Sequence, residues 1–144
     1  MKKLFLLIIP VLFSVAIQGN VKEIIMPEKA VEKTVRFSIY ASSNYSTSVY
    51  RQSKAKILLS IWKYRKNKPE LIWSATVDAG KLKNYPSADE ALFREVKVFN
   101  IKERKEQLVA NYRVIYDNKG SELFFDKAYL VPVGDSMKKL SIAI

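Results

Sequence analysis

Apolar residues in this chain recur at every second position, segment after segment, and that period suits strands rather than helices. "TVRFSIYA" places Val35, Phe37 and Ile39 on one face. "LVANYRVIY" does the same with Leu108, Ala110, Tyr112, Val114 and Tyr116, and the closing "KKLSIAI" with Leu140, Ile142 and Ile144. "AKILLSIWKY", "ELIWSATV", "VKVFNI" and "SELFFDKAYLV" extend the set, and "VKEIIM" before Pro27 is a further edge candidate. The chain shows no internal repeat and no heptad. Seven or eight short strands separated by turn signals predict an all-β fold, a single antiparallel β-sandwich of immunoglobulin-like architecture. One face of each sheet is then buried and the other wet. The Cys–Trp–Cys signature of antibody domains is absent, so the immunoglobulin label is architectural only.

Two stretches interrupt the alternation. In "SADEALF", Ser87 with Glu90 three residues on has the form of a capping box and predicts a short helical turn over 88–93, entered through Pro86. In "YDNKGSEL", Asn118 and Gly120 tolerate positive φ between alternating runs, which predicts a hairpin turn.

The first residues read as a leader rather than as fold. "MKK" is a basic n-region, 4–17 is an apolar run of 14 residues, and "QGN" is small and polar. As a helix that run rises only about 21 Å, short of the roughly 30 Å hydrocarbon core, and Pro10 interrupts it. A signal peptide over 1–20 and one domain over 21–144 are expected, with a retained anchor as the alternative. No cysteine follows the run, or occurs anywhere, which excludes a lipid-anchored lipoprotein, a disulfide scaffold, a thiol nucleophile and a Cys zinc site. Small exported animal domains usually carry disulfides, so the expected setting is a bacterial envelope, periplasmic or extracellular.

The chain carries 25 basic and 14 acidic residues, a net charge of +11. Removing Lys2 and Lys3 with the leader leaves about +9, which favours anionic surfaces. Outside the cell these are lipid headgroups, acidic glycans or acidic protein, and nucleic acid is not expected. Histidine is absent, which removes the commonest general base and metal ligand and every Ser–His mechanism. No phosphate-binding glycine loop and no G-x-S-x-G is present. Asp78, Asp89, Glu90, Asp117, Glu122 and Asp126 could build a carboxylate-pair hydrolase, but no spacing singles out a pair. Asp117, Asn118 and Glu122 could offer oxygens to calcium, against the basic charge. The expectation is therefore a binding protein with no catalytic residue, no cofactor and no metal.

Two segments are binding candidates. In "IWKYRKNKPELIW", a turn at Asn67–Lys68 would set Trp62 opposite Trp73, Tyr64 opposite Leu71 and Leu58 opposite Val77. Both tryptophans then face the core, and Arg65, Lys66 and Lys68 sit at the tip. There they serve solubility or meet an anionic surface, with Lys54, Lys56, Lys81 and Lys83 extending the patch if the fold brings them close. In "YASSNYSTSVYRQS", Tyr45 and Tyr50 stand among hydroxyls and amides, the composition of adaptable recognition loops. Asn44-Tyr45-Ser46 is a formal N-glycosylation acceptor, and Asp135-Ser136-Met137 is a short match to a bacterial O-glycosylation acceptor. The expected function is contact with a protein partner in the envelope. The alternative is direct binding of anionic lipid or acidic polysaccharide through the hairpin tip.

Overall fold

A computed structural model describes residues 28–42 and 53–144. The leader, "VKEIIM", Tyr45 and Tyr50 lie outside the described residues. Seven strands follow in order: β1 (Val31–Tyr40), β2 (Lys54–Arg65), β3 (Lys68–Lys81), β4 (Leu92–Ile101), β5 (Glu106–Asn118), β6 (Ser121–Val131) and β7 (Met137–Ala143). They form a three-stranded sheet, β4-β1-β7, and a four-stranded sheet, β3-β2-β5-β6. The expected all-β class holds, in a sandwich-like arrangement of two sheets.

The alternation explains the burial. Val35, Phe37 and Ile39 of β1, Ile57, Leu59 and Ile61 of β2, Leu108, Ala110, Tyr112 and Val114 of β5, and Leu140 and Ile142 of β7 share one core. Phe37 stacks on Trp73 at 6.0 Å between ring centroids, a contact that joins the central strand of one sheet to an edge strand of the other. Burial of the Tyr112 phenol, and then its hydrogen bond with Tyr129, push its pKa up to about 12.

Three expectations need correction. The pairing is not wholly antiparallel: β7 runs parallel to β1, from Thr34 opposite Met137 to Tyr40 opposite Ala143. Parallel neighbours need a long crossover, and here everything between β1 and β7 supplies it, so no local signal announces the pairing. The helical turn is a 3-10 turn over Ala88–Glu90 that stops before Phe93, and Ser87 makes no side-chain cap. A second 3-10 turn, Leu82–Asn84, precedes it.

The third correction concerns the hairpin. Its turn is Lys66–Asn67, not Asn67–Lys68, with Arg65 opposite Lys68. Lys66 and Asn67 both have positive φ, 49° and 61°, as a two-residue hairpin that matches the strand twist requires. Moving the turn by one residue shifts the pairing by two positions, which keeps the faces but sets Trp62 opposite Leu71 instead of Trp73. A bulge at Ile72 then reverses the phase of β3, so Trp73 lies opposite Ile61, on the face away from Trp62. Trp73 therefore packs on the core, whereas Trp62 lies half-buried on the outer face. The same rule shapes the second hairpin, where Lys119 (φ 54°) takes the position expected of Asn118, followed by Gly120 (φ 90°).

This difference in placement is measurable. Trp73→Ala should cost about 3 kcal/mol, at the low end for a large aromatic because Trp73 is only partly buried. Trp62→Ala should cost about 1 kcal/mol. Chemical denaturation of both variants checks this, and equal losses would restore the register in which both tryptophans face the core.

Candidate functional site

The outer face of the four-stranded sheet can be read row by row. Leu71, Trp62, Val109 and Leu130 lie side by side across the four strands, as do Thr76, Leu58, Arg113 and Asp126. Between them runs a row of small side chains, Ser74, Ser60, Asn111 and Ala128. Low side chains between taller ones make a trough, and a concavity of ≈ 750 Å³ opens there, lined by members of all three rows. The indole N–H of Trp62 donates to Ser60 Oγ at 3.0 Å, which fixes the ring beside the trough floor. Arg113 grips Asp126 through two hydrogen bonds, 2.6 and 2.7 Å. That grip holds the Asp126 carboxyl below its usual pKa and raises that of the guanidinium.

β6 closes the sheet as an edge strand. Its "LFF" puts apolar bulk on both faces: Leu123 and Phe124 are each 70% exposed, and Phe125 and Leu130 are exposed as well. Leu123 and Phe125 have the inward phase, opposite Tyr116 and Val114. The narrower sheet does not reach over them, while Val131 at the other end of β6 is buried. Arg113 lies 5.2 Å from the Phe124 centroid and Lys127 5.1 Å from that of Phe125, so cations cover part of both rings. Proteins usually protect edges with charges, proline, bulges or short length; β6 carries Glu122, Asp126 and Lys127 but none of the other three.

The expected tip residues, Arg65, Lys66 and Lys68, are exposed at one end of the sheet. Lys54 and Lys81 pair at the opposite end of the same hairpin. Eleven residues at about 3.3 Å each separate the ends by roughly 36 Å, and Lys83 follows Lys81 there, so these lysines do not extend the tip. Lys56 lies two positions further along β2, still toward that far end. The neighbours of the tip are instead Lys102, Arg104 and Lys105, in the β4–β5 turn that leads into Glu106, the residue opposite Arg65. No pattern in the sequence joins these two turns; only the β2–β5 pairing does.

The six candidate carboxylates are spread over β3, the Ala88–Glu90 turn, β5 and β6. Asp126 is held by Arg113, Asp117 accepts the Gly120 N–H at 3.1 Å, and Asp89 and Glu90 lie on the separate 3-10 turn. Asp117 and Glu122 are cross-strand neighbours, but among the described residues no group of three or more acids is placed to hold a metal ion. Ser136, the proposed O-glycosylation position, is exposed just before β7. Among the described residues no helix is long and apolar enough to cross a membrane. No protein-family model, no curated protein and no solved structure matches this chain.

Proposed function

We propose that this is an exported, non-catalytic binding protein of a bacterial envelope that acts through protein–protein contact, with the β6 edge as its contact surface. The observation that carries this reading is the apolar bulk left on both faces of an edge strand whose outer side pairs with no strand among the described residues, Leu123, Phe124, Phe125 and Leu130. An extended partner segment laid along β6 gains main-chain hydrogen bonds from the open edge and seats alternate apolar side chains against these residues. The excess of basic residues selects partner segments with acidic flanks. Export rests on the basic and apolar leader over 1–20, and the immunoglobulin-like label on the three- and four-strand division of the sheets.

A second reading is favoured by one observation. Arg65, Lys66, Lys68, Lys102, Arg104 and Lys105 come from two adjacent turns, an arrangement suited to anionic lipid or acidic polysaccharide.

The test is co-fractionation of the full chain with the envelope at low and high salt. A Leu123→Glu/Phe125→Glu variant should lose at least tenfold in retention at both salts and keep its thermal midpoint, because both side chains are exposed. Retention by the β6 edge should survive 1 M salt, where the Debye length falls to about 3 Å. Retention that salt abolishes and the double variant keeps would move the contact to the basic turns.

A further inference from the structure

We propose that the trough across the outer face of the four-stranded sheet is a binding site for a neutral saccharide chain, laid perpendicular to the strands. This site shares Asp126, Lys127 and Ala128 with β6 but runs across the strands and not along the edge, so it stands or falls without the edge reading.

The floor residues Ser74, Ser60, Asn111 and Ala128 cross all four strands, roughly 14 Å at the usual strand spacing, about the length of a short oligosaccharide. The ≈ 750 Å³ concavity falls within the range of small-ligand sites. Its lining combines the half-buried indole of Trp62 with hydroxyls at Ser60, Ser74 and Thr76 and an amide at Asn111. A pyranose ring presents the complementary pattern, with a C–H face that packs on an indole and a rim of hydroxyls that pair with isolated hydroxyl and amide groups. The Asn111 Oδ1 has no partner among the described residues. An unsatisfied buried acceptor is costly, and an incoming hydroxyl would relieve it.

Two observations decide against other occupants. A peptide laid across the strands would find the sheet's N–H and C=O groups already committed to the ladder, so its own backbone groups would be buried without partners. An anionic ligand would find the guanidinium in the wall already neutralised by Asp126, and the Lys127 ammonium, also in the lining, lying over the Phe125 ring. What remains on offer is neutral hydrogen bonding and an aromatic face.

The test is titration of the full chain with neutral hexasaccharides of glucose, mannose, xylose and N-acetylglucosamine, and with polygalacturonate, followed by calorimetry and tryptophan emission. At least one neutral probe should bind, shift the emission and keep its affinity at high salt. Trp62→Ala and Asn111→Ala should each weaken that binding about tenfold or more, one decade being about 1.4 kcal/mol. Ser74→Trp, at an exposed position, should block the trough with an unchanged thermal midpoint, which separates occlusion from misfolding. The proposal is overturned if no neutral probe binds, if Ser74→Trp leaves affinity intact, or if polygalacturonate alone binds and salt removes it.

Discussion

Phe37→Ala should lower the stability of the domain by about 3–5 kcal/mol, the usual cost of truncating a buried aromatic. Phe37 is fully buried at the middle of β1, the central strand of its sheet, and it stacks on Trp73 of the opposing sheet. Few substitutions remove so much contact between the two layers. Domains of this size are stable by only about 5–15 kcal/mol, so the variant would lose a large share of the total. Its thermal midpoint should fall by roughly 15 °C. Phe37→Leu keeps most of the volume and should cost less than half as much. Calorimetry on the three proteins checks the ranking. A loss in the alanine variant no larger than that of an exposed phenylalanine such as Phe99 would mean that the two sheets do not pack through this contact.

Lys33→Met should cost about 3 kcal/mol, for a different reason. The Lys33 side chain is almost completely enclosed, two positions from Val31 and from Val35 in the inward alternation of β1. Its ammonium donates to the carbonyls of Pro132 and Asp135 at 2.6 and 2.9 Å and pairs with Glu103 at 2.5 Å. Glu103 in turn accepts the Gly134 N–H at 2.8 Å. One cation therefore ties β1 to the β4–β5 turn and to the loop that launches β7 beside it. Methionine fills the space but leaves two carbonyls without a donor.

The pair also makes stability depend on pH. The hydrogen bond from Lys33, and after it the Gly134 N–H, holds the Glu103 carboxyl below its ordinary value of 4.5. A group with a lowered folded pKa contributes stability that is complete above the ordinary value and lost as pH falls through the depressed one. Asp126, lowered by Arg113, adds a term of the same sign. Stability should therefore decline on the acid side, and Glu103→Gln should flatten that decline. Urea midpoints compared between about pH 6 and about pH 3 check the sign. Parallel curves for wild type and variant would show that the pair does not form.

The period of two made the strands legible, because burying one face of a sheet forces it. Val35, Phe37, Ile39, Leu140 and Ile142 are where the alternation puts them. Register was legible only where the turn was. Lys66 is not a residue that advertises positive φ, and the turn it forms pairs Trp62 with Leu71 instead of Trp73. The Ile72 bulge, which lets Trp73 face inward when Trp62 does not, leaves no trace in composition. The trough was not legible because its residues come from four strands, and Ser74, Ser60, Asn111 and Ala128 meet only once the pairing is known. The exposed β6 edge was hidden for the opposite reason. "LFF" reads as core, and only the strand order and the narrower facing sheet leave it uncovered.

The most direct test of β6 as the contact surface is photo-crosslinking in the native envelope, with benzoylphenylalanine placed in turn at Phe124, Trp62 and Lys66. These positions sample the edge strand, the trough and the basic tip within one experiment. The β6 reading predicts a discrete protein adduct from position 124, little from position 62, and an adduct pattern unchanged by high salt. Adducts from position 66 with none from position 124 would contradict it and place the working surface at the basic turns.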